Sequence, residues 1–187
     1  MKIPPNAKQV FKGVIFDVYQ WQQEMFDGSF ETFERVKRPH TLEVIAVKGD
    51  KIIIAEQEQP GMPGPIFTVF GGRAEEGETE LEGAKRELLD EAGLDSDDWE
   101  LFKTVEPEAK IDWKIHYFIA RNCKKIAEQN LEPGEKITIK EVTFEEFVKI
   151  VSEGHFWGSD LALELCRIRL YPEKLEVFRK KLFKKLF

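Results

Sequence analysis

Cysteine and histidine are scarce in this chain, with 2 and 3 among 187 residues. Cys123 and Cys166 lie far apart and have no metal-binding spacing, so they read as ordinary thiols in a reducing compartment, and no disulfide is expected. His40, His116 and His155 share no useful spacing either, and each reads as a packing or surface residue. A basic excess is also missing: 28 Lys and Arg against 35 Asp and Glu give a formal net charge of −7. That balance argues against a nucleic-acid-binding surface, which needs clustered cations for phosphate contacts. No apolar run approaches the ~20 residues of a membrane span. The opening Met-Lys-Ile-Pro-Pro-Asn-Ala-Lys lacks the core of a secretory leader, so a cytoplasmic setting is expected. The C-terminal Phe178–Phe187 stretch is basic and amphipathic and could lie on a lipid surface. Docking Leu182, Phe183, Leu186 and Phe187 on the body with the lysines outward needs no lipid, so no membrane partner is expected.

Acidic residues at fixed spacings are plentiful. The chain is 42% hydrophobic, enough for one domain or for one domain with a small appendage. Between Gly72 and Leu94 a glycine-rich turn runs into a helical pattern. Thr79 is a suitable N-cap with Glu82 three residues on, Leu81, Ala84, Leu88 and Leu89 supply an apolar stripe, and Gly93 is a C-terminal stop. On that helix Glu87 and Glu91 are four apart, which sets their Cβ atoms about 5–6 Å apart, with Asp90 one step round. Like charges so placed repel, and a cation between them would relieve the repulsion. Oxygen ligands without histidine or cysteine favour Mg²⁺ or Mn²⁺ over zinc or copper. A merely solvated acidic face is the plainer alternative, which the fixed glycines and Arg86 argue against.

Around this helix the pattern predicts strands at 10–19 and 29–36, joined through Phe26-Asp27-Gly28, as an N-terminal antiparallel hairpin. A second hairpin is expected from 41–47 and 51–56 about Gly49-Asp50, then a loop over 59–65 and a strand over 66–70. Strands near 99–105, 110–121 and 136–142 and helices near 144–152, 159–170 and 172–185 complete the reading. This order predicts an α/β fold, a mixed sheet between helices. The leading strands carry more aromatic surface, from Phe16 to Phe33, than a hairpin can bury, so they are expected to pack on the core or on a second copy of the chain.

Gly72, five residues, Glu78, seven residues and Arg86-Glu-Leu-Leu-Asp-Glu-Ala-Gly-Leu94 resemble the Nudix box, with Asp90 the single departure. Lys12-Gly13-x-x-Phe16, Phe33-Glu-Arg35, Thr143-Phe-Glu-Glu-Phe147 and Ser159-Asp160 extend the resemblance to the ADP-ribose pyrophosphatase branch of that family. Gln57-Glu58-Gln59 departs from the branch's usual Gln-x-Arg, and Pro107 only approximately matches its downstream proline.

The resemblance implies a Nudix-type α/β/α sandwich over 39–187, preceded by a hairpin region at 1–38 that serves dimerisation. It implies a homodimer acting on a nucleotide sugar and using Mg²⁺, or Mn²⁺, as cofactor. Glu87 and Glu91 would be direct metal ligands, with the Gly72 carbonyl, Glu78 and Asp90 as direct or water-mediated ones. Arg86 would orient the acids, and Glu135, after Pro133-Gly134, would be the catalytic base, with Glu132 and Glu141 nearby. Trp21 or Phe30 could stack on a base, and Arg35 could meet a phosphate. The alternatives are a pyrophosphohydrolase of nucleoside triphosphates or dinucleoside polyphosphates, and a non-enzymatic nucleotide-sensing or scaffold module.

Overall fold

The computed structural model describes residues 2–184, so Lys185, Leu186 and Phe187 of the expected terminal helix lie outside the described residues. The N-terminal strands are β1 (Lys8–Lys12), β2 (Asp17–Glu24) and β3 (Phe30–Lys37). They are followed by β4 (Thr41–Lys48), β5 (Lys51–Glu58), β6 (Ile66–Thr68) and β7 (Phe70–Arg73), then helix α1 (Glu80–Ala92). After it come β8 (Leu94–Asp95), β9 (Asp98–Val105), β10 (Ile111–Asp112), β11 (Ile115–Arg121), β12 (Lys124–Lys125) and β13 (Lys136–Val142). The chain closes with α2 (Phe144–Ser152), α3 (Ser159–Ile168) and α4 (Pro172–Leu182).

The central sheet has the order β13-β5-β4-β11-β9, with β6 beside β5 and β7 beside β4. It is mixed because β4 and β11 run parallel while their other neighbours are antiparallel. Side chains alternate across a strand, and here both faces are covered. Leu42, Val44 and Ala46 of β4 meet Ala84, Leu88 and Ala92 of α1, whereas Ile45 and Val47 pack with Phe144, Phe147, Leu161, Leu165 and Phe178 from α2, α3 and α4. Two-sided burial is why every residue of β11 is buried, His116 and Arg121 included. The result is the expected α/β/α sandwich. Leu81, assigned to the apolar stripe of α1, instead lies exposed at the helix start.

Two strands are shorter than expected. The stretch 10–19 breaks at Gly13, whose N–H bonds Phe16 O at 3.0 Å to close a tight turn, so β2 and β3 form the expected antiparallel hairpin about 25–29 and β1 extends it to a three-stranded meander. Any Cβ at Gly13 would collide with that carbonyl. The stretch 110–121 breaks at Trp113-Lys114: β10 joins the N-terminal sheet parallel to β3, while β11 enters the central one. The break follows from bonds that draw the chain sideways, Lys114 N–H to His40 Nδ1 at 3.1 Å and Thr41 N–H to Lys114 O at 2.9 Å.

α4 is tied down by charge. The buried Arg121 guanidinium donates to Lys181 O (2.8 Å), Asp98 (3.0 Å) and Glu100 (2.5 Å), and Glu100 also meets Lys181 and Lys184. Burial alone would raise the Glu100 pKa, but the hydrogen bonds from Lys181, Arg121 and Lys184 outweigh it and hold the group at about 2. A depressed carboxyl stabilises the fold above the unfolded value near 4, and that contribution is lost as pH falls through about 2. Glu100 is partly solvated, so Glu100→Gln is expected to cost about 2 kcal/mol at neutral pH. The melting curves of parent and variant should converge as pH drops from 4 to 2; a constant gap across that range would count against the network.

Among the described residues no helix is long and apolar enough to cross a membrane. Phe178 and Leu182 of α4 are buried in the core, and Phe183 packs beside them, as docking requires. Cys123 and Cys166 are free thiols.

Candidate active site

Helix α1 is fixed at both ends. Glu82 N–H donates to Thr79 Oγ1 at 3.2 Å while the Glu82 carboxylate accepts from Thr79 N–H at 2.8 Å, and Gly93, at φ 64°, closes the helix. With Ala84, Leu88 and Ala92 turned to the sheet, Glu87 and Glu91 project toward β7. Their reach explains two glycines. A Cβ on Gly72 would lie 2.6 Å from Glu87 Cδ, so only glycine lets that carboxylate rest against the strand. A Cβ on Gly71 would strike the Leu42 carbonyl, and the Gly71 N–H donates to Glu91 Oε2 at 2.8 Å.

Arg86 links the acids. It donates to both oxygens of Glu78 (3.2 and 2.9 Å), to Glu87 Oε1 (2.8 Å) and to Arg73 O (3.1 Å). These bonds raise its own pKa, and its hydrogen bond to Glu78 is the main reason that carboxyl is held low. Four acceptors on a planar fork cannot all be reached by an ammonium. Arg86→Lys is therefore expected to weaken metal binding and to lower kcat about 10–100-fold, as losses of ligand-orienting groups commonly do. Unchanged values for both would show that the carboxylates orient themselves.

The carboxylates press on one another. Burial, reinforced by Glu87, Glu135 and Glu43 and opposed by the Gly71 N–H, pushes the Glu91 carboxyl up to about 9. Burial and then the charge of Glu87 push Glu43 up to about 8. Glu87 is raised too, by burial first, with Arg86 pulling the other way. These are hard oxygen donors short of positive charge, the chemistry that suits a divalent hard cation. Among the described residues no three acidic, imidazole or thiol groups yet surround one point as ligands. Arg86 engages one oxygen of Glu87, and Gly71 one oxygen of Glu91. The donor set fits a metal, which the side chains would close upon by rotation.

These groups line a cleft of about 1140 Å³ between α1, β4, β7, β11 and the segment leading into α3. Gly72, Arg86, Glu87, Asp90, Glu91 and Glu135 all face it, while Glu78 stands behind Arg86. Asn130 borders it, its N–H bonded to Asp90 O at 2.8 Å. Glu135 caps a turn with Glu132, donating N–H to Glu132 O at 2.9 Å and accepting from Glu132 N–H at 3.2 Å. Glu141 lies elsewhere, paired with Lys48 at 2.9 Å.

Trp21 and Arg35 do not reach this cleft within the chain. Trp21 donates Nε1–H to Gln23 and tilts against Phe33, and Arg35 is buried beside a shallow cavity with Phe33 and Lys110. Phe30, the other stacking candidate, is largely exposed on β3. Glu43, Arg38, Trp113 and Tyr117 face the cleft but are absent from the sequence-derived site. Glu43 did carry a signal, one carboxylate inside the apolar run 42–47.

Residues 37–160 match the family model described as NUDIX domain. The chain is 27% identical over 175 residues to the ADP-ribose pyrophosphatase of Bacillus subtilis (strain 168), covering 87% of this chain and 90% of that protein. It is 25% identical over 168 residues to the methanol dehydrogenase activator of Bacillus methanolicus, covering 88% and 91%. A solved structure described as an ADP compounds hydrolase superposes with a TM-score of 0.71 over 90% of this chain and 94% of that one. At 21% identity that likeness speaks for the fold.

Proposed function

The chain belongs to the NUDIX domain family and is a Nudix hydrolase, and on that premise we propose that it cleaves the diphosphate bond of ADP-ribose or a related nucleoside diphosphate sugar. The products are a nucleoside monophosphate and a sugar phosphate. One observation carries the reading: Glu43, Glu87, Glu91 and Glu135 converge on a single cleft at the Gly71-Gly72 backbone. The relative from Bacillus subtilis bears the name of that activity.

Glu87 and Glu91 would hold Mg²⁺, or Mn²⁺, with the Gly72 carbonyl and Asp90 contributing directly or through water, and Glu78, behind Arg86, contributing at most through water. The bound ion supplies charge neutralisation on the diphosphate and a lowered pKa for attacking water. Arg86 keeps Glu78 and Glu87 in place. Glu135, on its turn at the cleft edge, takes the proton from the water.

The N-terminal region, 1–38, serves dimerisation in this reading. Phe26 is fully exposed, and Val10, Phe11, Val14 and Phe30 are exposed with it, apolar surface that a second copy would cover. Such a homodimer could bring Trp21 and Arg35 to the partner's substrate. The two free thiols suit a reducing, cytoplasmic setting.

The test is a panel of nucleotide sugars, nucleoside triphosphates and dinucleoside polyphosphates, each with EDTA, Mg²⁺ or Mn²⁺, with products followed by phosphorus NMR. AMP and ribose phosphate from ADP-ribose, only with metal, is the expected result. Release of orthophosphate or pyrophosphate from triphosphates alone would replace this reading with the triphosphate one.

A further inference from the structure

Glu135 lies near enough to Glu87 and Glu91 for its charge to raise both carboxyls, so repulsion drives the turn that bears it away from α1. Hydrogen bonds hold it there. The end of an α-helix leaves carbonyls that the helix itself does not serve, and at the end of α1 the segment 125–130 serves them one after another. Asn130 N–H donates to Asp90 O (2.8 Å), the Gln129 side chain to Glu91 O (2.7 Å), the Lys125 ammonium to Ala92 O (3.3 Å), and the Ile126 and Ala127 N–H groups to Gly93 O (2.9 and 3.2 Å). Lys125 thereby supplies a cation that the last turn of the helix lacks. Gly93 admits the segment: a Cβ there would lie 2.1 Å from Ala127 O.

Gln129 does more than cap the helix. Its half-buried amide Nε2 donates to Glu91 O and also to Ile137 O, the latter at 3.3 Å. Glu91 belongs to the acids that face the cleft, and Ile137 lies two residues beyond Glu135, in β13, where it pairs with Gln57 of β5. One neutral group therefore joins the helix of the acids to the strand that leads out of the Glu135 turn. Asn130 strengthens the first of these supports, its side chain donating to Asp90 Oδ1 at 3.3 Å. With 129–130 fixed on α1 and the chain from Lys136 onward fixed in the sheet, the place of Glu135 is set from both ends of a short span.

We propose that Gln129 is a positioning residue, which sets the distance between Glu135 and the acids of α1 by bonding the supports of both at once. This rests on the hydrolase reading with Glu135 as its base, and names the group that keeps that base within reach. Gln129 itself touches no reacting atom in this role. Displacing a reacting group by about 1 Å costs on the order of 10²-fold in rate, so loss of the bridge shows in kcat and leaves KM and Mg²⁺ binding unmoved.

The test uses Gln129→Met, which keeps the length of the side chain and removes both donors. Hydrogen exchange followed by mass spectrometry on metal-free protein should be faster than in the parent over 131–137 and parent-like over 84–89 of α1. With Mg²⁺ and ADP-ribose, kcat should fall about 10–100-fold while KM and the Mg²⁺-induced rise in melting temperature stay those of the parent. Gln129→Asn, one methylene too short to bond both carbonyls, should lose a similar factor with a smaller effect on stability, and serves if Gln129→Met folds poorly. In the Glu135→Gln background Gln129→Met should cost less than about threefold, since no base is left to place. The proposal is overturned if exchange over 131–137 does not change, if kcat stays within about threefold of the parent, or if Gln129→Met costs as much without the Glu135 carboxylate as with it. Cleavage of ADP-ribose at equal rates by parent and variant keeps the hydrolase reading and removes the positioning role. Cleavage of triphosphates alone, slowed by the same factor in Gln129→Met, keeps the positioning role while the sugar-nucleotide reading falls.

Discussion

Glu91→Gln is expected to lower kcat about 10⁴-fold, equivalent to about 5 kcal/mol of transition-state stabilisation at 1.36 kcal/mol per decade. The substitution keeps the shape of the side chain and an acceptor for the Gly71 N–H, so the local fold has no reason to change. What it removes is the charge that would draw a divalent cation between Glu87 and Glu91. Stability should move the other way. Burial raises the Glu91 pKa to about 9, far above its unfolded value near 4, so between these limits the folded protein binds one proton more than the unfolded chain. Metal-free stability therefore falls as pH rises through that window, and glutamine removes this contribution. In EDTA at pH 8 the variant should melt no lower than the parent. Added Mg²⁺ should raise the melting temperature of the parent and leave that of the variant nearly unmoved. An active Glu91→Gln enzyme with a normal Mg²⁺ shift would end the metal-site assignment.

The parts of this site that lie close together in the chain were legible in the sequence. Thr79, Glu82 and Gly93 bracket α1 by local rules that tertiary packing does not override, so the spacing of Glu87 and Glu91 followed from the helix alone. Gly72 was legible as part of a pattern, but its reason, the Glu87 carboxylate lying against its backbone, belongs to the packing of α1 on β7. Glu43 and Arg38 reach the cleft through the pairing of β4 with β7 and β11, contacts made across tens of residues. The pattern over 41–47 contains Glu43 as a polar interruption, but no local window brings it or Arg38 to the acids of α1. The break that adds β1 to the N-terminal hairpin was missed for a related reason. Val14-Ile15-Phe16 carries strand-forming side chains, yet Gly13 folds the backbone into a turn, and turn geometry outweighed propensity. Likewise the break before β11 is set by His40 and Thr41, more than 70 residues earlier.

Glu135→Gln is expected to reduce kcat about 10³-fold, within the range for removing a general base, while KM and the Mg²⁺-induced shift in melting temperature remain those of the parent. Geometry separates Glu135 from its rivals. Glu141 is tied to Lys48 on the far end of β13, away from the cleft. Glu132 also borders the cleft but is exposed, whereas Glu135 is half-buried there and its charge is among those that raise both Glu87 and Glu91. A base must reach water placed beside Glu87 and Glu91, and Glu135 stands close enough for its charge to act on both. The turn also has room to move: a Cβ at Gly134 would meet nothing within 4 Å, and the carboxylate is held by a single 3.2 Å bond from the Glu132 N–H. Substrate binding can therefore swing Glu135 inward without unpacking the core. Hydroxide should substitute for the missing base, so the rate of Glu135→Gln should climb about tenfold per pH unit where the parent is flat. Glu132→Gln should stay within about threefold of the parent, because glutamine leaves its backbone bonds to Glu135 unchanged. If Glu132→Gln proved the slower enzyme, or if hydroxide failed to accelerate Glu135→Gln, proton transfer would belong to another group in the cleft, with Glu43 the next candidate by burial and by proximity to Glu87.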